Sequence, residues 1–368
     1  MADPILYRSL TIPVYLGSIP GIVEHFHISN TLAISPISFA ALGFFLGPIF
    51  AVSISEVLGR RWVFRISIPI ATAFTIVAGT ARNFQTLVVA RCLASIAISP
   101  SISVAVGVVN DLWDVRDDRL GTVVLVLFAS SIVWATEIGP PISTSIVRDT
   151  GDWRWTFYLS SILLGVCLVT LLNPETFAPT IARQLDRREG KEVESSGSLA
   201  TVLRTATGRA LHMILIEPIV RYTTIMSGIY QAALYCFYVA FPVAFKSIYR
   251  FTDYQSGLAF LPLFIGSIIG LVVIMVLDWF KYRPAVAYAE QKGENVPPEK
   301  RLYPAMLGCV LMPISLFWLA WTARPSIHWV VPLLACIPLG ISIECILVRY
   351  ASAACFQHSK ISLLKGRF

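Results

Sequence analysis

A carboxylate in the middle of an apolar run is the position in this sequence with the most chemistry to offer. Glu137 lies inside the run at 123–146, beside Gly139, Pro140 and Pro141. Placing a charge at membrane depth is expensive, so such a residue turns toward a cavity or a partner. Two chemistries fit it, exchange of a proton and capture of a cationic substrate; pairing with a neighbouring cation is the structural alternative. Arg91, near the start of the run at 87–109, is a cation for which a cavity role competes with a stem that snorkels to the interface. Tyr230, Gln231 and Tyr235, with Tyr238 and Phe241, set aromatic and amide groups along one later run. They suit stacking of a planar organic molecule and ordinary helix packing alike. Glu344 and Arg349 also ionise, but they stand near the end of the last run.

The elements that hold these residues are membrane spans. Of 368 residues, 56% are hydrophobic and 14% charged, with a mean hydropathy of +0.70. Soluble domains carry nearer a quarter charged residues, and here the apolar residues come in blocks of bilayer length. The net charge of +7 is scattered through short gaps between the blocks, which reads as topology signal and excludes a nucleic-acid surface. Seven cysteines lie mostly within apolar blocks, five histidines are dispersed, and no Gly-rich phosphate loop ending in Gly-Lys-Ser/Thr is present. No metal, cofactor or enzyme active site is expected, and ATP bound by this chain does not drive it.

The predicted fold is all-α and polytopic. Apolar blocks fall at 5–23, 33–55, 63–81, 87–109, 123–146 and 155–172, then at 223–245, 257–277, 304–321 and 330–348. The first is short and broken by Pro13, Gly17 and Pro20. This divides the chain into a six-helix bundle over 1–173, a basic cytoplasmic linker over 174–222, a partial bundle of four helices over 223–348 and a polar tail over 349–368. The loop between the second and third blocks carries Glu56, Gly59, Arg60 and Arg61, and its cations place it on the cytoplasmic side. Gly43 and Gly47, four apart, share a helix face and permit close contact. Trp153 and Trp155 are expected at the half-wet interfacial depth. Gly139 and Pro140 remove a side chain and a backbone donor, which makes either a hinge or a packing feature.

Several of these stretches together resemble one family. Ser55-Glu56-Val57-Leu58-Gly59-Arg60-Arg61 is similar to the signature between the second and third helices of the major facilitator superfamily, most closely its twelve-helix fungal drug:proton antiporters. Arg91 matches the arginine that starts the fourth helix there, and Asp111 to Gly121, with Arg119, resembles the next loop. Gly139-Pro140 and Gly151-Asp152-Trp153-Arg154-Trp155 resemble the antiporter motif and the entry to the sixth helix. Asn173-Pro174-Glu175-Thr176-Phe177-Ala178-Pro179 resembles the segment that closes the first bundle.

The resemblance implies two bundles rocking about a central cavity, with export of a drug or secondary metabolite as protons enter. Glu56, Gly59, Arg60, Arg61, Asp111 and Arg119 would then form the conformational gate. Glu137, Arg91, Tyr230, Gln231 and Tyr235 are the candidate proton or substrate site, and Gly139 and Pro140 the hinge. The expected partners are a small organic molecule, protons and membrane lipid, in the cell membrane or the vacuolar membrane. The chain departs from the family pattern by matching about ten of twelve helices, as if truncated at both ends. A non-transporting remnant, inert or acting through a partner, is therefore the alternative reading. Val52, Ser53, Ser95 and the pair Ser143-Thr144 stand where the group has smaller residues or proline, and larger side chains at close crossings are expected to resist helix approach.

Overall fold

The computed structural model describes residues 13–100, 119–168, 215–292 and 302–347, with isolated positions such as Leu10, Val104, Gly107, Glu175 and Thr180 between them. All regular elements among the described residues are helical. A short 3-10 stretch, Pro13–Ser18, leads into α1 (Ile19–Phe26). There follow α2 (Asn30–Leu58), α3 (Arg60–Gly79), α4 (Phe84–Ile98), α5 (Arg119–Thr150) and α6 (Arg154–Cys167). The later helices are α7 (Pro218–Tyr249), α8 (Asp253–Val286), α9 (Tyr303–Thr322) and α10 (Val330–Leu347). Seven described helices are long and apolar enough to cross a membrane, while α1, α4 and α6 are shorter over the residues described. Most of the expected polar linker over 174–222 and all of the tail over 349–368 lie outside the described residues, and α7 begins at Pro218, inside the expected linker.

Local chemistry explains where the helices begin. Ser29 caps α2 by accepting from the Leu32 amide at 3.3 Å, and Asn83 caps α4 by accepting from the Thr86 amide at 2.9 Å. Thr252 and Gln255 form a reciprocal capping box at the start of α8. Each satisfies backbone donors that a helix start leaves bare. α2 stops at Gly59, whose φ of 94° is open to a residue without Cβ. Large apolar side chains such as Phe45, Ile162, Phe317 and Trp321 point outward. Lipid rather than water is the solvent that suits them.

Helices α1 to α4 and α6 share one buried cluster, centred on Tyr15, Leu87, Trp153 and Phe157. A second joins α7, α8 and α10 through Phe241, Phe245, Phe260 and Leu339. α5 packs against both groups, contributing Val133 to the second cluster and contacting Pro13–Ser18 on its other side.

Two expectations need correction. Trp153 is not half wet: it is 5% exposed and packs edge-on against Phe157, whereas Trp155 is 48% exposed. The serines and threonine in place of family glycines do not hold the helices apart either, because glycines stand opposite them. A Cβ on Gly17 would lie 2.3 Å from Ser143 Oγ, one on Gly257 2.0 Å from Thr144 Oγ1, and one on Gly43 2.9 Å from Ser95 Cβ. A glycine on one side of each contact is what allows the close approach.

Candidate functional site

The residues expected to form a gate lie around the N-terminus of α3, where four amides have no intrahelical acceptor. Glu175 supplies two: its Oε1 accepts from the Arg60 amide at 3.0 Å and its Oε2 from the Arg61 amide at 3.1 Å. A negative charge here also faces the positive end of the helix dipole. The same carboxylate sits against Gly59, where a Cβ would lie 2.5 Å from Glu175 Oε2, and the Arg60 guanidinium lies against Gly107. Asp111 and the side chains of Glu56 and Arg119 fall outside the described residues. Glu175, quoted in the sequence only as part of a motif, is the residue that bonds the start of α3, and spacing alone did not reveal that contact. Glu175→Ala is expected to cost about 1 kcal/mol, read as faster amide hydrogen exchange at Arg60 and Arg61.

Arg91 is buried within the first helix group, apart from the aromatic helix α7. Its guanidinium lies over the Tyr15 ring at 4.3 Å and the Phe157 ring at 5.4 Å. Tyr15 is itself fixed by donating to the Ala33 carbonyl at 2.6 Å. A cavity of about 20 Å³ beside Arg91, lined also by Thr75, Ser95 and Ser160, has room for one water. The snorkelling reading of Arg91 therefore gives way to an interior one.

Glu137 lies on α5 and is 0% exposed. Pro140 and Pro141 lack the amides that would bond the carbonyls one turn earlier. Further along, the hydroxyls of Ser143 and Thr144 donate to the Pro140 carbonyl at 3.0 and 2.9 Å, and Ser145 donates to the Pro141 carbonyl at 2.8 Å. α5 continues through both prolines. Gly139 meets Pro13, with space too small for a Cβ.

The partner of Glu137 comes from the other helix group. Ser267 Oγ on α8 donates to Glu137 Oε1 at 2.6 Å and also lies 3.2 Å from the Gly340 carbonyl on α10. A second carboxyl repeats the arrangement in reverse. Glu344 on α10, also 0% exposed, accepts a hydrogen bond from Ser130 Oγ on α5, and Ser130 Oγ lies 2.9 Å from the Val126 carbonyl. Tyr230 donates to the Ile343 carbonyl at 3.4 Å and lies within electrostatic reach of both carboxyls. Tyr238 shares a 3.1 Å hydrogen bond with Thr136, next to Glu137.

The structure thus brings Glu137 and Tyr230 together, adds Glu344, Ser130, Ser267 and Tyr238, and places Gln231 and Tyr235 half-buried on the same α7. Glu344 belongs to this centre because α10 still meets α5 through Ser130 and α8 through Gly270 at that level, so a position near the end of the apolar run is interior. At one end of the α5–α8 contact, Arg148 stacks on Tyr254 at 4.4 Å beside a cleft of about 530 Å³.

Apolar helices in two groups, joined by a helix with a buried carboxyl, define a multi-pass membrane protein. The Major Facilitator Superfamily model matches residues 7–360, and the chain belongs to that superfamily. It is 33% identical over 333 residues to "Efflux pump FUB11" of Gibberella moniliformis, covering 87% of this chain and 55% of that protein. It is 29% identical over 366 residues to "Polyamine transporter 4" of Saccharomyces cerevisiae, covering 90% of this chain and 54% of that one. The chain therefore spans about half the length of such curated relatives. Among solved structures, the xylose transporter XylE from E. coli matches with a TM-score of 0.58 at 16% identity, over 96% of this chain and 86% of that one. The human organic anion transporter MFSD10 matches with 0.55 at 12% identity, over 96% and 86%. At these identities the likeness is one of fold.

Proposed function

We propose that this chain moves an organic molecule across a membrane by alternating access, exporting it in exchange for protons taken up at Glu137. The observation that carries this is the position of one hydroxyl. Ser267 Oγ stands within hydrogen-bond distance of Glu137 Oε1 and of the Gly340 carbonyl, yet has one proton to donate. When Glu137 is ionised it accepts that proton's hydrogen bond. When Glu137 is protonated it can itself donate to Ser267 Oγ, which then turns its own proton to Gly340. A proton on α5 is in this way felt on α8 and α10, the contact that must change when two bundles rock. A buried carboxyl with such a partner is the kind of group on which membrane proton relays are built. Glu175 over the start of α3 supports the same reading, as the part of the gate that holds α2 and α3 in register.

The test is export of a panel of toxic organic compounds from a pump-deficient yeast expressing Met1 to Phe368, with a membrane-fraction blot. The reading expects lower accumulation of at least one compound, restored to control levels by a protonophore. Protein resident in the membrane with accumulation unchanged across the panel would overturn it. Ser267→Ala, which removes the shared hydroxyl and leaves the carboxyl, is expected to retain substrate binding while flattening the pH profile of transport. Flux measured against external pH in vesicles checks this.

A further inference from the structure

Three contacts join α5 to α8 in a regular series. The Arg148 guanidinium lies 4.4 Å over the Tyr254 ring, Thr144 meets Gly257 so closely that a Cβ there would lie 2.0 Å from its Oγ1, and Glu137 accepts from Ser267. Numbers fall along α5 as they rise along α8, which is the register of two antiparallel helices zipped along one seam. If the basic loop at Gly59–Arg61 is cytoplasmic, the alternation of spans puts the end of α5 and the start of α8 on the opposite, outer side. The stack of Arg148 on Tyr254 is then the outermost contact of the three, and Glu137 the deepest.

The cleft of about 530 Å³ opens at this end of the seam. One wall is Thr144 and Arg148 of α5, another is Tyr254 and Gln255 of α8, and Gly17 and Pro20 of the first helix group close a third. Thr144 is 9% exposed, so the cleft stops where α5 and α8 touch. The other polar side chains around it already have partners: Thr252 and Gln255 form the capping box, and Asp253 is held by Lys246 from the end of α7. Arg148 belongs to neither described ion pair and rests on a ring face instead. Such a contact suits a closure that must open in every cycle. An exposed cation on an aromatic face is a weak attraction and leaves no buried charge behind when it parts, whereas breaking a buried ion pair strands one.

We propose that Arg148 and Tyr254 are the outer latch of the α5–α8 seam: stacked, they keep Thr144 against Gly257 and water away from Glu137, and parted, they admit protons from the outer side. This rests on the transport reading above and names the contact that must break before Glu137 can load. Both are positioning residues, acting on the carboxyl through the seam.

The experiment is the rate at which a water-soluble maleimide modifies Thr144→Cys in the purified full chain in lipid nanodiscs, read by mass spectrometry of the peptide carrying position 144. Arg148→Met and Tyr254→Leu keep side chains of similar reach over the cleft but remove the stack, and each is expected to speed modification about fivefold. The double variant should be no faster than either single one, because both remove the same contact. Tyr254→Phe keeps the ring face and should match the parent. Tyr254→Trp offers a better face and should be slower, a direction that loosened folding would not give. Equal rates across the series overturn the latch, as does a double variant whose acceleration is the product of the two single ones. Proton-driven flux in a chain whose labelling ignores Arg148 and Tyr254 sinks the latch and leaves the transport reading standing. Latch-dependent labelling in a chain without proton-driven flux does the reverse.

Discussion

Glu137→Gln is expected to reduce gradient-driven export to the level of vesicles lacking the protein, while insertion and folding persist. Glutamine has the shape of glutamic acid, and its amide oxygen still accepts from Ser267. The substitution therefore leaves no cavity, and its effect on stability stays within about 1 kcal/mol. What it removes is ionisation. The Ser267 hydroxyl then has a partner that never changes state, and α8 and α10 receive no signal from α5. Downhill movement of substrate without a pH gradient is expected to survive in part, because the path itself is intact. Parallel assays with and without an imposed gradient separate the two. Full gradient-driven export by a folded Glu137→Gln chain would remove this residue from the proton path.

Gly340→Val is expected to have the largest effect on stability. A Cβ at Gly340 would lie 2.1 Å from the Leu263 carbonyl oxygen and 3.0 Å from Gly266 Cα, and one at Gly266 would lie 2.1 Å from the Ile337 carbonyl oxygen. These neighbours are backbone, so no rotamer change relieves the clash, and α8 and α10 must separate. Overpacking of this kind costs about 1–3 kcal/mol, and more where backbone has to move. Separation would also pull Ser267 from the Gly340 carbonyl, so binding and stability should fall together. Thermal unfolding of the detergent-solubilised chain checks the first, and a fall of several degrees is expected. Gly165→Ala, which meets nothing within 4 Å, is the matched control and should unfold as wild type does.

Much of this arrangement was legible in the residues. Glu137 stood out because a charge within an apolar block has few structural excuses. The helices followed from block length, and Gly43 and Gly47 followed from their spacing on one face. Glu344 was harder to read because distance from a run's end in sequence does not measure depth in the packed protein. Ser130 and Ser267 gave no signal, since serines in apolar helices commonly bond their own backbone, as Ser160 and Ser161 do here. The opposed glycines were missed for another reason: a crossing is a property of two helices, and reading Ser143 or Ser95 alone hides Gly17 and Gly43. Arg91 was recognised as special, but only the fold shows Tyr15 and Phe157 beneath its guanidinium.

The most direct test of the account is whether Glu137 itself exchanges a proton. Infrared difference spectra of the purified chain in lipid, recorded between acidic and alkaline buffer, report the C=O stretch of buried protonated carboxyls. The account predicts a titrating band in the wild-type spectrum that is lost or substantially reduced in Glu137→Gln and altered in frequency by Ser267→Ala, whose hydroxyl bonds that carboxyl. A wild-type band that persists unchanged in both variants would contradict it, and would place the coupling proton on another group.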